Sequence, residues 1–459
     1  MMKRFKLLSV LLVVVLASFL FAAKAWAFCG FYVAKADAKL FNRASQVAIA
    51  RSGDKTVLTM ANDYKGDAKD FAIVVPVPVV VEQEQVTVSN ASILERLDAF
   101  SAPRLVEYFD SNPCEPVAYE AMPVPAAAPA RLRGGAARNT DSSLGVTIER
   151  KFTVGEYDIL VLSAKESGGL ETWLLQNGYK IPRGANALLK PYIRQKMKFF
   201  VAKVNLEKFE QSGFQNLRPL QMTYNSPRFM LPIRLGMINA DQAQDLLVYV
   251  LTPKGQTEVT NYRTVKVPSD NEIPPFVKNE FADFYTAMFQ TAYTREGRNV
   301  AFLEYAWDMG NCDPCSAEPL SRQELQAAGV FWLDQPQDEI PNPSGRRMMP
   351  RPWPQSGVFI TRLHMRYTRD KFPEDLMFQE TQNRDQFQGR YVLRHAFQGE
   401  MKCAAGQAYR RSLPKRFEQE AQNLARLTGW NIQDIRNKLP KLEAQALPWW
   451  DRLWEAFHG

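Results

Sequence analysis

Short runs of strand-forming residues, separated by turn residues, recur along most of the chain. Residues 47–51, 56–64 and 71–77 are rich in Val, Ile, Thr and aromatic residues. Residues 52–54 (Ser-Gly-Asp) and 66–67 (Gly-Asp) separate these runs and supply turn conformations. The pattern predicts a three-stranded meander.

Alternation of apolar and polar residues predicts a hairpin around Gly155 and further strands at residues 199–204, 220–224, 229–235, 246–251, 299–307, 358–367 and 389–397. Helical spacing of apolar residues predicts helices at residues 93–100, 170–177, 185–195, 276–291, 413–427 and 432–439. Ser321 and Glu324 form a capping box that predicts the start of another short helix. The predicted fold class is α+β: β-rich, with antiparallel, sandwich-like sheets, peripheral helices and a more helical C-terminal part.

The first 27 residues carry a different pattern. Basic residues precede a mainly apolar run over residues 7–23, and small side chains follow at Ala25 and Ala27. This order is typical of a signal peptide, so we expect cleavage after Ala27 and a periplasmic or extracellular location. The alternative is an uncleaved membrane anchor, because the run is near the lower length limit for a span. No later apolar run reaches that length, so we expect no transmembrane segment after cleavage.

The chain that remains after cleavage is longer than one hydrophobic core usually sustains, so we expect two domains. Residues 28–275 are predicted to form a β-rich N-terminal domain, interrupted by a mobile Pro/Ala-rich loop at residues 121–143. Residues 276–459 are predicted to form an α+β domain with a Pro-rich loop at residues 335–355.

The charge distribution argues against nucleic-acid binding. The net charge of +8 falls by four when the signal peptide leaves, because Lys3, Arg4, Lys6 and Lys24 belong to it and no acidic residue does. Both signs of charge are interspersed along the rest of the chain, whereas nucleic-acid-binding proteins gather Lys and Arg on one face. We therefore expect no nucleic-acid partner.

Export makes the cysteines candidate disulfide partners. They are Cys29, Cys114, Cys312, Cys315 and Cys403. Two bridges among five cysteines allow about 15 arrangements, and spacing does not choose between them. We expect Cys29 to pair with Cys114, and one further bridge to form among the other three.

The spacing of Cys312 and Cys315 also suits two other kinds of site. A thioredoxin-like redox centre needs the first cysteine at the start of a long helix, but here the pair follows Gly310 and Asn311 in a predicted loop. A zinc site needs a second pair of ligands, and Cys403 is the nearest further cysteine. A structural disulfide is the favoured interpretation, with redox catalysis and metal binding as alternatives.

Histidine is scarce in this chain, which contains three: His364, His395 and His458. His364 alternates with two arginines on one face of a predicted strand, where positive charge would disfavour its protonation. His395 lies with apolar residues on one face of another strand, which favours a packed side chain. The sequence contains no nucleophile elbow, zinc-protease helix, phosphate-binding loop or dinucleotide fingerprint. We therefore predict no catalytic residue, cofactor or metal site.

Two groups of acidic residues have weak signals. Asp63, Asp67 and Asp70 surround a turn, and a loose calcium loop is conceivable there, but their spacing lacks the ligand order of a calcium-binding hand. Glu374 and Asp375 follow a proline. Turn and helix-start preferences are the simpler explanation for both groups.

Several separated strings together resemble one bacterial family. They are FCGFYV (28–33), TVLTMANDYKGDAKDFAIVVPVPV (56–79), LETWLLQNGYKIP (170–182), WDMGNCDPC (307–315) and TRLHMRYTRDKFPEDLMFQET (361–381). The chain resembles domain of unknown function 2330 to about residue 430. The resemblance implies an exported bacterial protein with a cysteine near its mature N-terminus, and it implies no activity and no catalytic residue.

Two classes of function are compatible with these patterns. The first is a non-catalytic binding or envelope-associated protein whose partner is an unknown envelope protein or glycan, with recognition carried by long loops on a sheet scaffold. The alternative is an exported enzyme, either a hydrolase with an unrecognised site or a thiol-disulfide oxidoreductase that uses Cys312 and Cys315.

Overall fold

The computed structural model describes residues 31–34, 41–65, 71–115, 146–177, 185–205, 207–209, 217–238, 243–311, 318–334 and 357–440. These residues form two compact units, each built from three separate stretches of chain. Unit 1 comprises the described residues within 1–102, 128–266 and 297–388, and unit 2 those within 103–127, 267–296 and 389–459. The domain division at residue 275 stays a prediction from composition.

The described residues contain twenty β-strands. In chain order they are β1 (Phe31–Ala34), β2 (Phe41–Ser52), β3 (Lys55–Lys65), β4 (Phe71–Val77), β5 (Val86–Val88), β6 (Arg104–Phe109), β7 (Val146–Val154), β8 (Tyr157–Ala164), β9 (Lys198–Val204), β10 (Leu220–Asn225), β11 (Met230–Leu231), β12 (Gln244–Thr252), β13 (Thr257–Val259), β14 (Arg263–Lys266), β15 (Asn271–Ile273), β16 (Val300–Asp308), β17 (Phe359–Tyr367), β18 (Leu376–Glu380), β19 (Phe387–Gln388) and β20 (Arg390–His395).

Seven α-helices lie within the described residues: α1 (Ser92–Ser101), α2 (Ser167–Gln176), α3 (Ala185–Arg194), α4 (Phe281–Arg295), α5 (Arg322–Ala327), α6 (Ala404–Thr428) and α7 (Ile432–Lys438). Short 3₁₀ helices lie at Gln83–Gln85, Arg234–Ile238, Pro275–Glu280 and Trp332–Asp334. The capping box predicted at the start of α5 is present, with Ser321 accepting a bond from the Glu324 amide. None of the described helices combines the length and apolar character that a bilayer crossing requires.

Unit 1 contains two large sheets that pack face to face. One has five strands in the order β1-β4-β9-β8-β7, and the other runs β14-β16-β17-β12-β2-β3-β10-β5, with β19 also paired to β16. Most neighbouring strands are antiparallel, although β12 pairs with β2 and β14 with β16 in parallel. The β-rich, sandwich-like α+β fold predicted from the sequence is therefore confirmed.

Helices cover the outer faces of this sandwich. Between the sheets, Ile49 and Met60 of the larger sheet share a core with Phe200 of the smaller one. Leu97 of α1 packs on the outer face of the larger sheet, and Leu174 of α2 packs on the outer face of the smaller one. Unit 1 thus has four layers built around its two large sheets, and it also contains a three-stranded sheet in the order β11-β18-β13.

The predicted three-stranded meander is wrong in its third strand. β2 and β3 pair through a turn at Gly53, as predicted, but β4 pairs with β1 and β9 in the other sheet. The alternating residues of β4 explain this, because Ile73 and Val75 face the inner core while Ala72 and Val74 face the helices. A strand that is apolar on both faces is stabilised by an interior position in a covered sheet.

Unit 2 contains a small sheet in the order β15-β20-β6, and both of its strand pairs are parallel. Phe284 and Met288 of α4 pack on Tyr391 of β20, with the rings of Phe284 and Tyr391 4.7 Å apart in an edge-to-face arrangement. The long helix α6 ends at Gly429, whose left-handed conformation (φ 74°) suits a residue without a side chain.

Candidate functional site

A row of alternating charges crosses the face of the larger sheet that α1 covers. We call it the charge row, and in order it consists of Asp98, Arg362, Glu304, His364, Asp245 and Arg366. With His364 protonated, three positive charges alternate with three negative ones. All six residues belong to unit 1.

Strand geometry places most of the row. Arg362, His364 and Arg366 point to one face of β17 because side chains alternate along a strand. β12 and β16 flank β17, and Asp245 lies directly opposite Arg366. The register of β16 against β17 shifts between residues 303 and 305, so Glu304 occupies a β-bulge beside Arg362 and His364. A bulge re-aims the side chain that it inserts.

The contacts within the row are short. Arg362 donates from Nε to Glu304 Oε2 (2.6 Å) and from Nη1 to Asp98 Oδ1 (2.6 Å). His364 Nδ1 lies 2.7 Å from Glu304 Oε1, and its Nε2 lies 3.5 Å from Asp245 Oδ1. Arg366 donates two bonds of 2.7 Å to the two oxygens of Asp245. Glu304 and Asp245 are therefore each shared between two partners of the row.

These contacts set the protonation of the row. Burial disfavours the charged imidazolium, but the carboxylates of Glu304 and Asp245 outweigh it and raise the pKa of His364 above its ordinary value. Burial likewise opposes ionisation of Asp245, yet bonds from His364 and Arg366 lower its pKa to about 2. The expectation that neighbouring arginines disfavour protonation of His364 is wrong, because two carboxylates from other strands contact its ring nitrogens.

The centre of the row is enclosed by the protein. Glu304 is 0% exposed, His364 8% and Asp245 9%. A histidine between two carboxylates has the chemistry of a general acid or base, but a catalytic group must reach the proton that it transfers. Both ring nitrogens of His364 face carboxylates of the protein itself. The arrangement is suited to holding three strands together rather than to contacting a substrate.

Unit 2 holds a second charged group, which we call the Asp110 cluster: Asp110, Arg394, Tyr409, Arg416 and Glu420. Asp110 follows β6 and accepts bonds from Arg394, from Arg416 and from the Tyr409 hydroxyl (2.5 Å). Glu420 is 1% exposed, and neither of its oxygens has a hydrogen-bond partner among the described residues. Its Oε1 lies 3.4 Å from Arg416 Nε.

Glu420 should make unit 2 less stable as the pH rises towards neutrality. Burial raises its pKa from the ordinary 4.5 to about 7, against the opposing charge of Arg416. The unfolded chain releases this proton near pH 4.5 and the folded chain near pH 7. The contribution to the free energy of unfolding is therefore complete below about pH 4.5 and falls by roughly 3 kcal/mol up to pH 7. Urea unfolding at several pH values, monitored by hydrogen exchange of α6 peptides, measures this change in the free energy of unfolding.

Two variants on α6 test this assignment. Glu420→Gln should remove the decline between pH 4.5 and 7. Glu418→Gln is the matched control, because bonds from Arg436 and Gln422 lower the pKa of the half-buried Glu418 to about 2. The stability that this carboxylate contributes changes with pH only below about pH 4.5, so its loss should leave the slope between pH 4.5 and 7 unchanged. An unchanged slope in Glu420→Gln would contradict the assignment.

The start of α2 and the C-terminal half of α3 frame an open groove, which we call the basic groove. Its cavity of about 430 Å³ is lined by Lys165, Glu166, Ser167, Gly168, Lys190, Ile193 and Arg194. The three basic side chains are exposed and outnumber the single acidic one. No salt bridge among the described residues involves Lys190 or Arg194. The groove therefore presents an excess of positive charge to solvent.

The family of the chain follows from a match that covers most of its length. A family model described as an uncharacterised protein conserved in bacteria (DUF2330) matches residues 23–379. The chain belongs to the DUF2330 family. The resemblance inferred from separated motifs is thus confirmed, while no curated protein and no solved structure matches the chain. The DUF2330 match contains the whole charge row and the whole basic groove, whereas α6 lies beyond its end.

Among the described residues, a disulfide joins two of the five candidate cysteines of this DUF2330 protein. Cys114 and Cys403 are bonded, with their Cα atoms 5.8 Å apart. The expected pairing of Cys29 with Cys114 is therefore wrong. The contact between Cys114 and Cys403 follows from tertiary packing in unit 2, which places the turn after β6 beside the start of α6.

Several predicted features lie outside the residues that the structure describes. They are Cys29, the pair Cys312 and Cys315, the two Pro-rich loops at 121–143 and 335–355, His458, and the side chains of Asp63, Asp67 and Asp70. Among the described residues, no group of three or more His, Cys, Asp or Glu is arranged to hold a metal ion.

His395 and Asp375 differ from their sequence interpretations. His395 is half-buried rather than packed in a core: its Nε2 lies 2.9 Å from Glu107 Oε2 and its ring stacks on Phe109. Asp375 is 2% exposed and accepts bonds from the Tyr192 hydroxyl (2.6 Å) and the Ile233 amide (3.0 Å). The turn preference explains why an aspartate suits this point of the backbone, but it does not explain why the Asp375 carboxylate is buried and hydrogen-bonded.

Sequence reasoning missed Glu304, Asp245 and Glu420. Each interrupts an apolar or helical pattern with a carboxylate at a position that the pattern marks as inward-facing. That interruption is a usable signal, because a buried charge is retained only with a partner. The partner itself is not visible in the local sequence.

Proposed function

We propose that this DUF2330 protein is exported and acts as a non-catalytic binding protein whose basic groove holds an anionic ligand of the cell envelope. The observation that carries the proposal is the groove itself, an open cavity at which Lys190 and Arg194 of α3 are exposed and form no salt bridge with another described residue. An acidic glycan is the ligand class that we favour.

Export is supported by the N-terminal order of basic, apolar and small residues. The disulfide between Cys114 and Cys403 is consistent with it, because disulfides persist in oxidising compartments and are rare in the cytosol. Cleavage after Ala27 would leave a chain that begins at Phe28.

Binding rather than catalysis is supported by the contrast between the two polar sites of unit 1. The charge row has the side chains of an acid-base site but is enclosed, with its ionised groups paired to one another. The basic groove is open, and Lys190 and Arg194 at its wall are exposed to solvent without a salt bridge to another described residue. Its volume lies in the range of small-molecule and headgroup sites.

The ligand class follows from charge. Exposed lysine and arginine side chains attract carboxylate, sulfate or phosphate groups. Interactions between exposed charges are screened by salt, so affinity should fall steeply as the ionic strength rises.

Isothermal titration calorimetry with oligogalacturonate, a carboxylated glycan, tests the proposal, with neutral dextran of similar length as the comparison ligand. We expect oligogalacturonate alone to bind. The double variant Lys190→Ala/Arg194→Ala should lose at least about tenfold in affinity, equivalent to about 1.4 kcal/mol.

Lys151→Ala is the matched control, because Lys151 is an exposed lysine on β7 that does not line the groove. It should bind like the natural protein. Equal binding of dextran, or equal affinities for the groove variant and this control, would refute the proposal.

A further inference from the structure

The Cys114–Cys403 disulfide has different surroundings at its two sulfurs. Cys114 is exposed in a turn directly after β6, where its amide donates to Asn112 Oδ1 (3.0 Å). Cys403 is the residue that caps α6, and its backbone is extended while the following residues are helical. The two sulfurs therefore differ both in access and in electrostatic environment.

The cap provides a stabilising contact for sulfur. Cys403 Sγ accepts a bond from the Gly406 amide at 3.1 Å, at the position that a Ser or Asp side chain usually fills. α6 is 25 residues long, and its N-terminus carries partial positive charge from unpaired amides. A negative charge on Cys403 Sγ would lie where the helix favours it most.

Gly406 brings the second sulfur to the same turn. A Cβ atom at this position would lie 3.1 Å from Cys114 Sγ and 2.8 Å from Met401 Cβ. Glycine therefore leaves the space that Cys114 Sγ occupies against the first turn of α6. The crosslink lies on the helix start, with Cys403 Sγ accepting an amide and Cys114 belonging to an exposed turn that also carries the acidic Glu115.

We infer that Cys114–Cys403 is an exchange-active disulfide, at which an external thiol attacks Cys114 and Cys403 departs as the stabilised thiolate. Exposure selects Cys114 as the sulfur that is attacked. Stabilisation of the departing thiolate by the Gly406 amide and the α6 terminus accelerates the step, because a more stable thiolate leaves faster. The partner is a thiol of a small molecule or of another protein.

The exchange balances with two thiols. The first thiolate forms a bond to Cys114 Sγ, and the electron pair of the broken S–S bond leaves on Cys403. A second thiolate attacks the mixed disulfide and releases Cys114. In total, two external thiols are oxidised to one disulfide and the protein disulfide is reduced to two thiols. The two protons of the external thiols are transferred to Cys114 and Cys403 or to solvent.

Reduction by glutathione in native buffer, followed by trapping and peptide mass mapping of the full chain, tests the inference. We expect glutathione on Cys114 rather than Cys403 in the trapped intermediate. In fully reduced protein, iodoacetamide should alkylate Cys403 roughly tenfold faster than Cys114 at pH 7, because Cys403 has the larger thiolate fraction.

A matched pair of variants separates this chemistry from a purely structural role. Ala405 is exposed in the first turn of α6, so Ala405→Glu adds a negative charge there and Ala405→Gln does not. The negative charge of the added glutamate stabilises the start of the helix, but it repels the negative charge of a thiolate on Cys403. We expect Ala405→Glu to slow both glutathione reduction and Cys403 alkylation several-fold relative to Ala405→Gln, without lower thermal stability.

Three outcomes would overturn the inference. They are reduction only in denaturant, glutathione trapped mainly on Cys403, and equal rates in the two Ala405 variants. Each would leave the crosslink as a structural bond alone.

Discussion

Replacing Glu304 by glutamine should lower the free energy of unfolding of unit 1 by about 3 to 5 kcal/mol. Glu304 is fully buried and pairs at once with Arg362 and His364, whose side chains are 6% and 10% exposed. The neutral amide keeps the size of the side chain but leaves both cations without their shared counter-charge. Urea unfolding followed by hydrogen exchange of β16 and β17 peptides measures the loss.

A double-mutant cycle assigns the effect to charge pairing. Glu304→Leu combined with Arg362→Leu removes both charges, so the pair should cost at least about 1 kcal/mol less than the sum of the single variants. Glu258→Gln, at an exposed position on β13, is the control and should stay within about 0.5 kcal/mol of the natural protein. Additive single effects would contradict a coupled charge row.

Removing the crosslink should weaken unit 2 by roughly 4 to 5 kcal/mol. The disulfide joins residues 289 positions apart, so it restricts a very long loop in the unfolded chain. The variant is Cys114→Ala combined with Cys403→Ser, because the serine hydroxyl can still accept the Gly406 amide and cap α6. The urea concentration at which α6 peptides lose protection from exchange is the measurement.

Gln407→Ala is the control for this loss, since Gln407 is exposed in the same turn of α6 and takes no part in the crosslink. It should change stability by less than about 0.5 kcal/mol. Protection of α6 in the crosslink variant equal to that in this control would disprove a stabilising role. If the loss is found, exchange with external thiols also becomes a means of loosening unit 2.

Elements defined by local chemistry were predicted well. The hairpin of β7 and β8 turns at Gly155, whose φ of 55° suits glycine, and its strands alternate visibly in the sequence. The start of α5 was predicted from two residues three positions apart, Ser321 and Glu324. In such cases the atoms that stabilise an element lie within a few residues of one another.

Sheet membership was not predictable in the same way. The sequence of β4 indicates a strand, but its pairing partners are β1 and β9. These strands belong to a different sheet from β3. The feature that distinguishes β4 from the third strand of a meander is that both of its faces are buried. The parallel sheet of unit 2 is a similar case, because β6 and β20 are separated by almost 300 positions.

The charge row shows why site chemistry was harder to predict than the fold. The sequence near His364 shows two arginines, whereas the groups that decide its protonation are carboxylates on β16 and β12. Glu304 reaches His364 only through a bulge, and a one-residue shift of register is not readable from either strand alone.

The amino-acid sequence by itself determined the β-rich α+β class, most helix and strand positions and membership of the DUF2330 family, because these depend on local periodicity and on recurring strings. Only the tertiary structure decided which sheet β4 joins, which cysteines bond and which carboxylates surround His364. Those outcomes depend on contacts between residues far apart in the chain, whose free energies arise from burial and charge pairing once the layers have packed.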